Sequence, residues 1–186
     1  VSQINELHKL RSSKYVQSDL KNVFLDVEQK LKEGKVVLFT GTPCQIAGLY
    51  CYLRKDYPNL LTIDVICHGV PSPKVWRLYL KECCYNLSTK TTTCHNIKSI
   101  QNISFRNKQW GWKKYSFLIE TLYDSNIISF IHEPINVNTY MKGFLADLYL
   151  RPSCHQCYFK SGISKSDISI ADYWNISNVH PSFDDD

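Results

Sequence analysis

Cys154-His155-Gln156-Cys157 is a C-x-x-C pair, a spacing that lets both sulfurs of one tight turn point to a single ion. Such a pair serves zinc, an iron-sulfur cluster or dithiol redox chemistry. A thioredoxin-type dithiol opens a helix straight after a strand, whereas here a helical pattern precedes the motif and Pro152 breaks the chain. Two single cysteines extend the set. Cys44 lies in GTPCQIAGL, residues 41–49, where an apolar strand must turn into a helix. A thiol at a helix start feels the exposed backbone N–H groups and the positive end of the helix dipole, and both favour the thiolate. Cys67 ends the apolar run LLTIDVI, residues 60–66, and opens CHGVPSP. Four thiolates from three loops suit a four-cysteine iron-sulfur cluster or a structural zinc. Zinc is commonly held by two paired knuckles, and one pair with two singles favours the cluster.

The remaining cysteines read differently. Cys51 follows Cys44 by two turns of one helix, too far along its axis to share a cluster. Cys83 and Cys84 read as packing residues of a helix, and Cys94 stands beside His95 in a polar stretch. His68, next to Cys67, reads as a hydrogen-bonded loop histidine, with an outer-shell donor or a fourth ligand as the alternatives.

The elements that must position these sulfurs repeat. A helix from about 20 to 32, capped by Ser18 or Asp19, carries Val23, Val27 and Leu31 at fourfold spacing. KVVLFT, residues 35–40, is a strand, and the helix after Pro43 carries Ile46, Leu49, Tyr50 and Leu53 on one side. LLTIDVI is a second strand, of the nearly continuous apolar kind covered on both faces. A helix with Val75, Trp76, Tyr79 and Leu80 follows, with Pro73 in its first turn. Two strand-to-helix units in succession imply neighbouring parallel strands about 4.8 Å apart. Cys44 and Cys67 then lie on one rim of the sheet, the carboxyl edge where open parallel sheets bind ligands.

Further along, LSTKTTT within 86–99 reads as a polar loop, and ISF (103–105), YSFLIETL (115–122) and IISFI (127–131) as an antiparallel hairpin or meander turning at Asp124-Ser125-Asn126. Trp110, Gly111 and Trp112 are expected to cap the core. A helix from about 138 to 149 carries Tyr140, Met141, Phe144, Leu145 and Leu148, SDISIADYW (166–174) reads as a last strand, and NVHPSFDDD as a ragged end. The fold class is therefore α/β, a parallel-sheet core of strand-helix units with an antiparallel hairpin or meander appended. Residues 1–186 read as one domain with a β insertion at 97–133.

Composition narrows the classes. With 44% hydrophobic residues the chain is no disordered segment. It opens at Val1 and reads as a piece of a longer protein, with no visible export signal and no run long enough for a membrane span. The +5 charge is spread between acids and forms no stripe, which argues against nucleic acid as a partner. Cysteine-rich but core-rich, the chain fits a reducing, cytoplasmic compartment better than a secreted disulfide scaffold.

SKYVQSD, VLFTGTPCQIAGL, NLLTIDVICHGVPSPKVW, ISFRNKQWGW, YMKGFLADLYLRPSCHQC and SDISIADYW resemble, in this order, the carboxyl-terminal domain of the coenzyme F-420 hydrogenase/dehydrogenase beta-subunit family. Ala171 and Asn175 stand where the family carries glycines. The resemblance implies a flavin-dependent oxidoreductase subunit that binds FAD and a 4Fe-4S cluster. It would pass electrons between ferredoxin-like or other cluster-bearing partners and a two-electron acceptor, coenzyme F-420 or another. The family's cluster cysteines correspond to Cys44, Cys67, Cys154 and Cys157, and its flavin motif to Lys14, Tyr15, Gln17 and Ser18. Arg106 and Lys108 are candidates for a cofactor phosphate, with plain solvation as the alternative. No side-chain general base stands out. Two rival readings are a non-catalytic, zinc-stabilised docking module for a partner redox enzyme, and a dithiol reductase using Cys154 and Cys157.

Overall fold

Val27 and Leu31, one turn apart on α1 (Val23–Lys32), bury themselves against Val37 and Phe39 of β1 (Val37–Gly41) and Ile46, Leu49 and Leu53 of α2 (Pro43–Leu53). The computed structural model that shows this core describes residues 4–5, 11–90, 99–123, 126–160 and 162–183, with the backbone alone of 84–90, 99, 122–123 and 126–130. The expected caps Ser18 and Asp19 do not start α1. Asp19 instead accepts the Lys21 N–H at 3.2 Å, and the helix begins after Asn22. Pro43 opens α2 at a position that needs no N–H, and the Gln45 side chain accepts the Thr42 N–H at 2.9 Å.

The chain forms two compact units. One comprises the described residues of Ser18–Gly69 and Pro152–Asp185. Its sheet has the order β1, β2 (Leu60–Val65), β6 (Ile168–Ile170), all parallel, so the strand-helix repeat folds as its spacing implies. One expectation about this sheet fails. Leu38, Leu61, Val65, Ile168 and Ile170 are exposed, while Thr62 and Asp64 are buried on the other face. Within this unit α1 and α2 pack on one face only, and LLTIDVI alternates along that division instead of being apolar throughout. The tail is not ragged up to Phe183: α6 (Ile176–Val179) follows Asn175, in the left-handed region at φ 65°, and a 3-10 turn spans Pro181–Phe183.

The other unit comprises the described residues of Val1–Gln17 and Val70–Arg151. Its antiparallel meander β3 (Ser99–Asn107), β4 (Ser116–Tyr123), β5 (Asn126–Pro134) is the appended sheet expected from the sequence. Phe105, Phe117 and Ile119 of the sheet meet Val75, Trp76, Tyr79 and Leu80 of α3 (Pro73–Lys90) and Tyr140 and Met141 of α4 (Thr139–Leu145). Residues 86–90 continue α3 instead of opening a loop, and the rest of the expected loop, 91–98, lies outside the described residues. Trp110 covers the sheet half-exposed, stacked on His132 at 4.4 Å. The Arg106 guanidinium is buried over the rings of Tyr115 and Trp112, at 4.6 and 5.6 Å, while Lys108 is exposed.

The helix expected to reach residue 149 stops at Leu145. Asp147 takes φ 59°, its N–H bonds Phe144 O, and the Leu148 N–H bonds Gly143 O, which is a Schellman stop and leaves Leu145 and Leu148 exposed. No helix among the described residues is long and apolar enough to cross a membrane.

Candidate functional site

Parallel pairing of β1 with β2 puts Gly41 beside Asp64, so both strands leave the sheet at the same edge. Cys44 follows β1 by three residues, in the first turn of α2, and its sulfur lies 3.3 Å from the Thr42 hydroxyl. Cys67 follows β2. The C-x-x-C segment begins at α5 (Pro152–His155), a single turn that carries Cys154. All four cysteines belong to one compact unit, although residues 70–151 of the other unit intervene in sequence.

That excursion closes at its neck. Pro71 bridges Leu150, the Arg151 N–H bonds Val70 O at 3.0 Å, and the Ser72 N–H bonds Tyr149 O at 3.0 Å. The chain therefore returns within a few residues of where it left, with Cys67 just before the neck and Cys154 just after it. Lys160 adds a tie by donating to His68 O at 2.9 Å.

Burial governs the thiol of Cys67. Burial pushes the Cys67 thiol up, the Gly69 N–H pulls it down, and the negative forms of Cys44, Cys154 and Cys157 push it up again, leaving it raised. Gly69 can aim its N–H this way because its φ of 152° suits glycine. Cys44 is exposed, and Cys67, Cys154 and Cys157 are half-buried. Among the described residues no three His, Cys, Asp or Glu side chains stand at metal-holding spacing. The donor types, four thiols, are those that hold a thiolate-ligated metal.

The other singled-out residues separate from this cluster. Cys51 is exposed on α2, and Cys83 is buried beside Tyr79, as expected of a packing residue. The Cys84 side chain, Cys94 and His95 lie outside the described residues, as do Asp124 and Ser125. Of the flavin candidates, Tyr15 is a packing residue of its unit, stacked on Phe144 at 4.5 Å and edge-on to Phe105 at 5.7 Å, and its carbonyl accepts the Tyr140 hydroxyl at 2.9 Å. Lys14, Gln17 and Ser18 are exposed; Lys14 donates to Arg11 O at 2.6 Å, and the Ser18 hydroxyl accepts from Gln45 at 2.7 Å.

Sequence reasoning passed over a second polar cluster beside Cys67. Asp64, only 2% exposed, accepts the Ser164 hydroxyl, with Ser166 and Ser169 also serving it. Burial works to raise its carboxyl, but the three hydroxyls outweigh burial and hold it below the ordinary range. Next to it the Asp167 carboxylate accepts both the N–H and the hydroxyl of Thr62, each at 2.7 Å. The signal was an aspartate inside an apolar strand, with a serine-rich ISKSDIS run to answer it.

No curated protein matches the chain. A family model does: the one describing the carboxyl-terminal part of the beta subunit of coenzyme F420 hydrogenase/dehydrogenase matches residues 34–184, a span that holds Cys44, Cys67, Cys154 and Cys157. The protein belongs to that oxidoreductase beta-subunit family.

Proposed function

We propose that the protein is the cysteine-bearing part of an iron-sulfur flavoprotein oxidoreductase subunit. In this reading Cys44, Cys67, Cys154 and Cys157 hold a 4Fe-4S cluster, which supplies one-electron transfer when bound. The observation that supports it is that Cys44 and Cys67 follow two parallel strands out of the same sheet edge, with Cys154 and Cys157 in the same compact unit on a segment that Lys160 ties to the Cys67 loop at His68 O. Around the cluster the chain's own contribution is position and charge. The Gly69 N–H stands beside Cys67 and the Thr42 hydroxyl beside Cys44, and hydrogen bonds to cluster sulfurs are one lever on potential. FAD would sit near Lys14, Tyr15, Gln17 and Ser18, with Lys14, Gln17 and Ser18 offering exposed polar groups and Tyr15 fixing the segment's backbone. The acceptor would be coenzyme F-420 or another two-electron carrier, the partner a ferredoxin-like or other cluster-bearing protein, and the compartment the cytoplasm.

A second reading, a zinc-stabilised docking module, draws support from the exposed apolar sheet face formed by Leu38, Leu61, Val65, Ile168 and Ile170. Metal analysis separates the two. The full chain, reconstituted anaerobically with iron and sulfide, is expected to hold about four irons and four sulfides. Serine at any of the four positions should remove most of that iron, and Cys51→Ser should leave it. One zinc per chain with no iron uptake overturns the proposal.

A further inference from the structure

The rim cysteines come from two stretches of chain, and the stretch with Cys154 and Cys157 has little apolar hold on the sheet. Its strand β6 is three residues long, and Ile168, Ser169 and Ile170 are all exposed. Polar stitches attach it instead. Ser164 donates to buried Asp64, and Ser166 is bonded to both Ser164 and Ser169 at 3.1 and 3.3 Å. Asp167 clasps Thr62 through its carboxylate, while its own N–H bonds the Thr62 hydroxyl at 3.1 Å. Asp64 precedes Cys67 on the same strand exit, and Ser164 follows Cys157 in the segment that Lys160 ties to His68.

We infer that Asp64 is a positioning residue for the cysteine quartet: through the Ser164, Ser166 and Ser169 hydroxyls it holds the Cys154/Cys157 segment against the Cys67 loop before any metal arrives. A buried carboxylate there costs desolvation, and a Val or Leu would pair β2 with β6 without that cost. What the carboxylate adds is a directional, three-point hold on a segment whose apolar side chains Ile163, Ile168 and Ile170 are exposed. The inference rests on the proposed role of the four thiols, and its test separates the two.

Two measurements are made on the full metal-free chain and on Asp64→Asn, Ser164→Ala and Val27→Ala, the last thinning the α1 core remote from the latch. The first is disulfide trapping with diamide, read by peptide mass mapping; each disulfide forms as two thiols lose two electrons and two protons to the diazene. The second is titration with Co²⁺ alone, read by thiolate-to-cobalt absorption. Cys67 is expected to link to Cys154 or Cys157 in the native chain, and that product should fall severalfold in Asp64→Asn and less in Ser164→Ala. Cobalt affinity should drop about tenfold in Asp64→Asn, the low end for residues supporting metal ligands, and stay unchanged in Val27→Ala. Native trapping in Asp64→Asn overturns the inference, and so does an equal loss in Val27→Ala, which would mark general destabilisation. If the native chain takes up no cobalt while trapping still depends on Asp64, the metal reading fails and the positioning role stands.

Discussion

Asn138 offers the sharpest test of how the meander unit is held together. Its side chain is fully buried, and every polar atom is used: Oδ1 accepts the Met141 N–H at 3.0 Å as the N-cap of α4, and Nδ2 donates to the Tyr79 hydroxyl and to Glu133, both at 2.9 Å. Asn138→Ala removes a cap, a loss of about 1 kcal/mol. It also strands the Tyr79 oxygen and the Glu133 carboxylate, each about 1–3 kcal/mol if fully desolvated. Both residues are half-buried, so water recovers part of that and the total comes to about 3 kcal/mol. Asn138→Ser keeps a capping oxygen and loses the two donations, for about 2 kcal/mol. Urea unfolding followed by tryptophan fluorescence is suited to this, since Trp76, Trp110 and Trp112 all lie in the same unit. With a slope of about 2 kcal/mol per molar urea, the midpoint should fall by about 1.5 M for alanine and 1 M for serine. An alanine variant within about 0.5 kcal/mol of the native chain, the range of an inert surface change, refutes the network. Equal losses for both variants refute the cap.

Two further outcomes follow from the same geometry. At Gly143 an added Cβ would run into the ring of Tyr149, whose hydroxyl is engaged with Tyr140 O; Gly143→Ala should cost about 1–3 kcal/mol by overpacking, and combining it with Tyr149→Ala should cost less than the sum of the two. The acid limb of stability should report the latch. Asp64 and Asp167 both have folded-state pKa values held below the ordinary range, so their contribution is complete above about pH 4, where the unfolded side chains ionise. As pH falls further the unfolded chain takes up protons that the folded chain refuses, and that stability is lost. Urea midpoints between pH 5 and 2.5 in about 0.3 M salt, which screens the surface pairs of Glu28 and Glu33 with Lys32 and Lys35, should fall less steeply for Asp64→Asn than for the native chain. An unchanged slope contradicts the assignment.

Much of this fold was legible where a single period governs burial. Val27 and Leu31, Ile46, Leu49 and Leu53, and Tyr140, Met141 and Phe144 are core residues in both the pattern and the structure. Legibility failed where a backbone event overrides the pattern: Leu145 and Leu148 continue the apolar stripe of α4, but the left-handed turn at Asp147 ends it. It failed also in LLTIDVI, where counting apolar residues hides an alternation. Thr62 and Asp64 are the buried positions there, and they tolerate burial because residues 164–169 bring them partners. No local rule announces partners a hundred residues away.

The same non-locality bears on the four sulfurs, which could be named from sequence while their proposed assembly needs more than a local pattern. Strand order puts Cys44 and Cys67 on one rim, a conclusion that needs only the parallel repeat. On the proposed reading, bringing Cys154 and Cys157 to that rim needs two more conditions. The excursion from Val70 to Arg151 must close on itself, which the Pro71–Leu150 bridge and the Arg151–Val70 bond accomplish. The returning segment must then be held at the sheet by something other than apolar packing, since Ile168 and Ile170 face solvent. A closed neck alone would leave the C-x-x-C turn swinging on a hinge; the Asp64 and Asp167 stitches remove that freedom. On the proposed reading, ordering entropy of about 1–2 kcal/mol per residue is thereby met during folding and not when a metal binds.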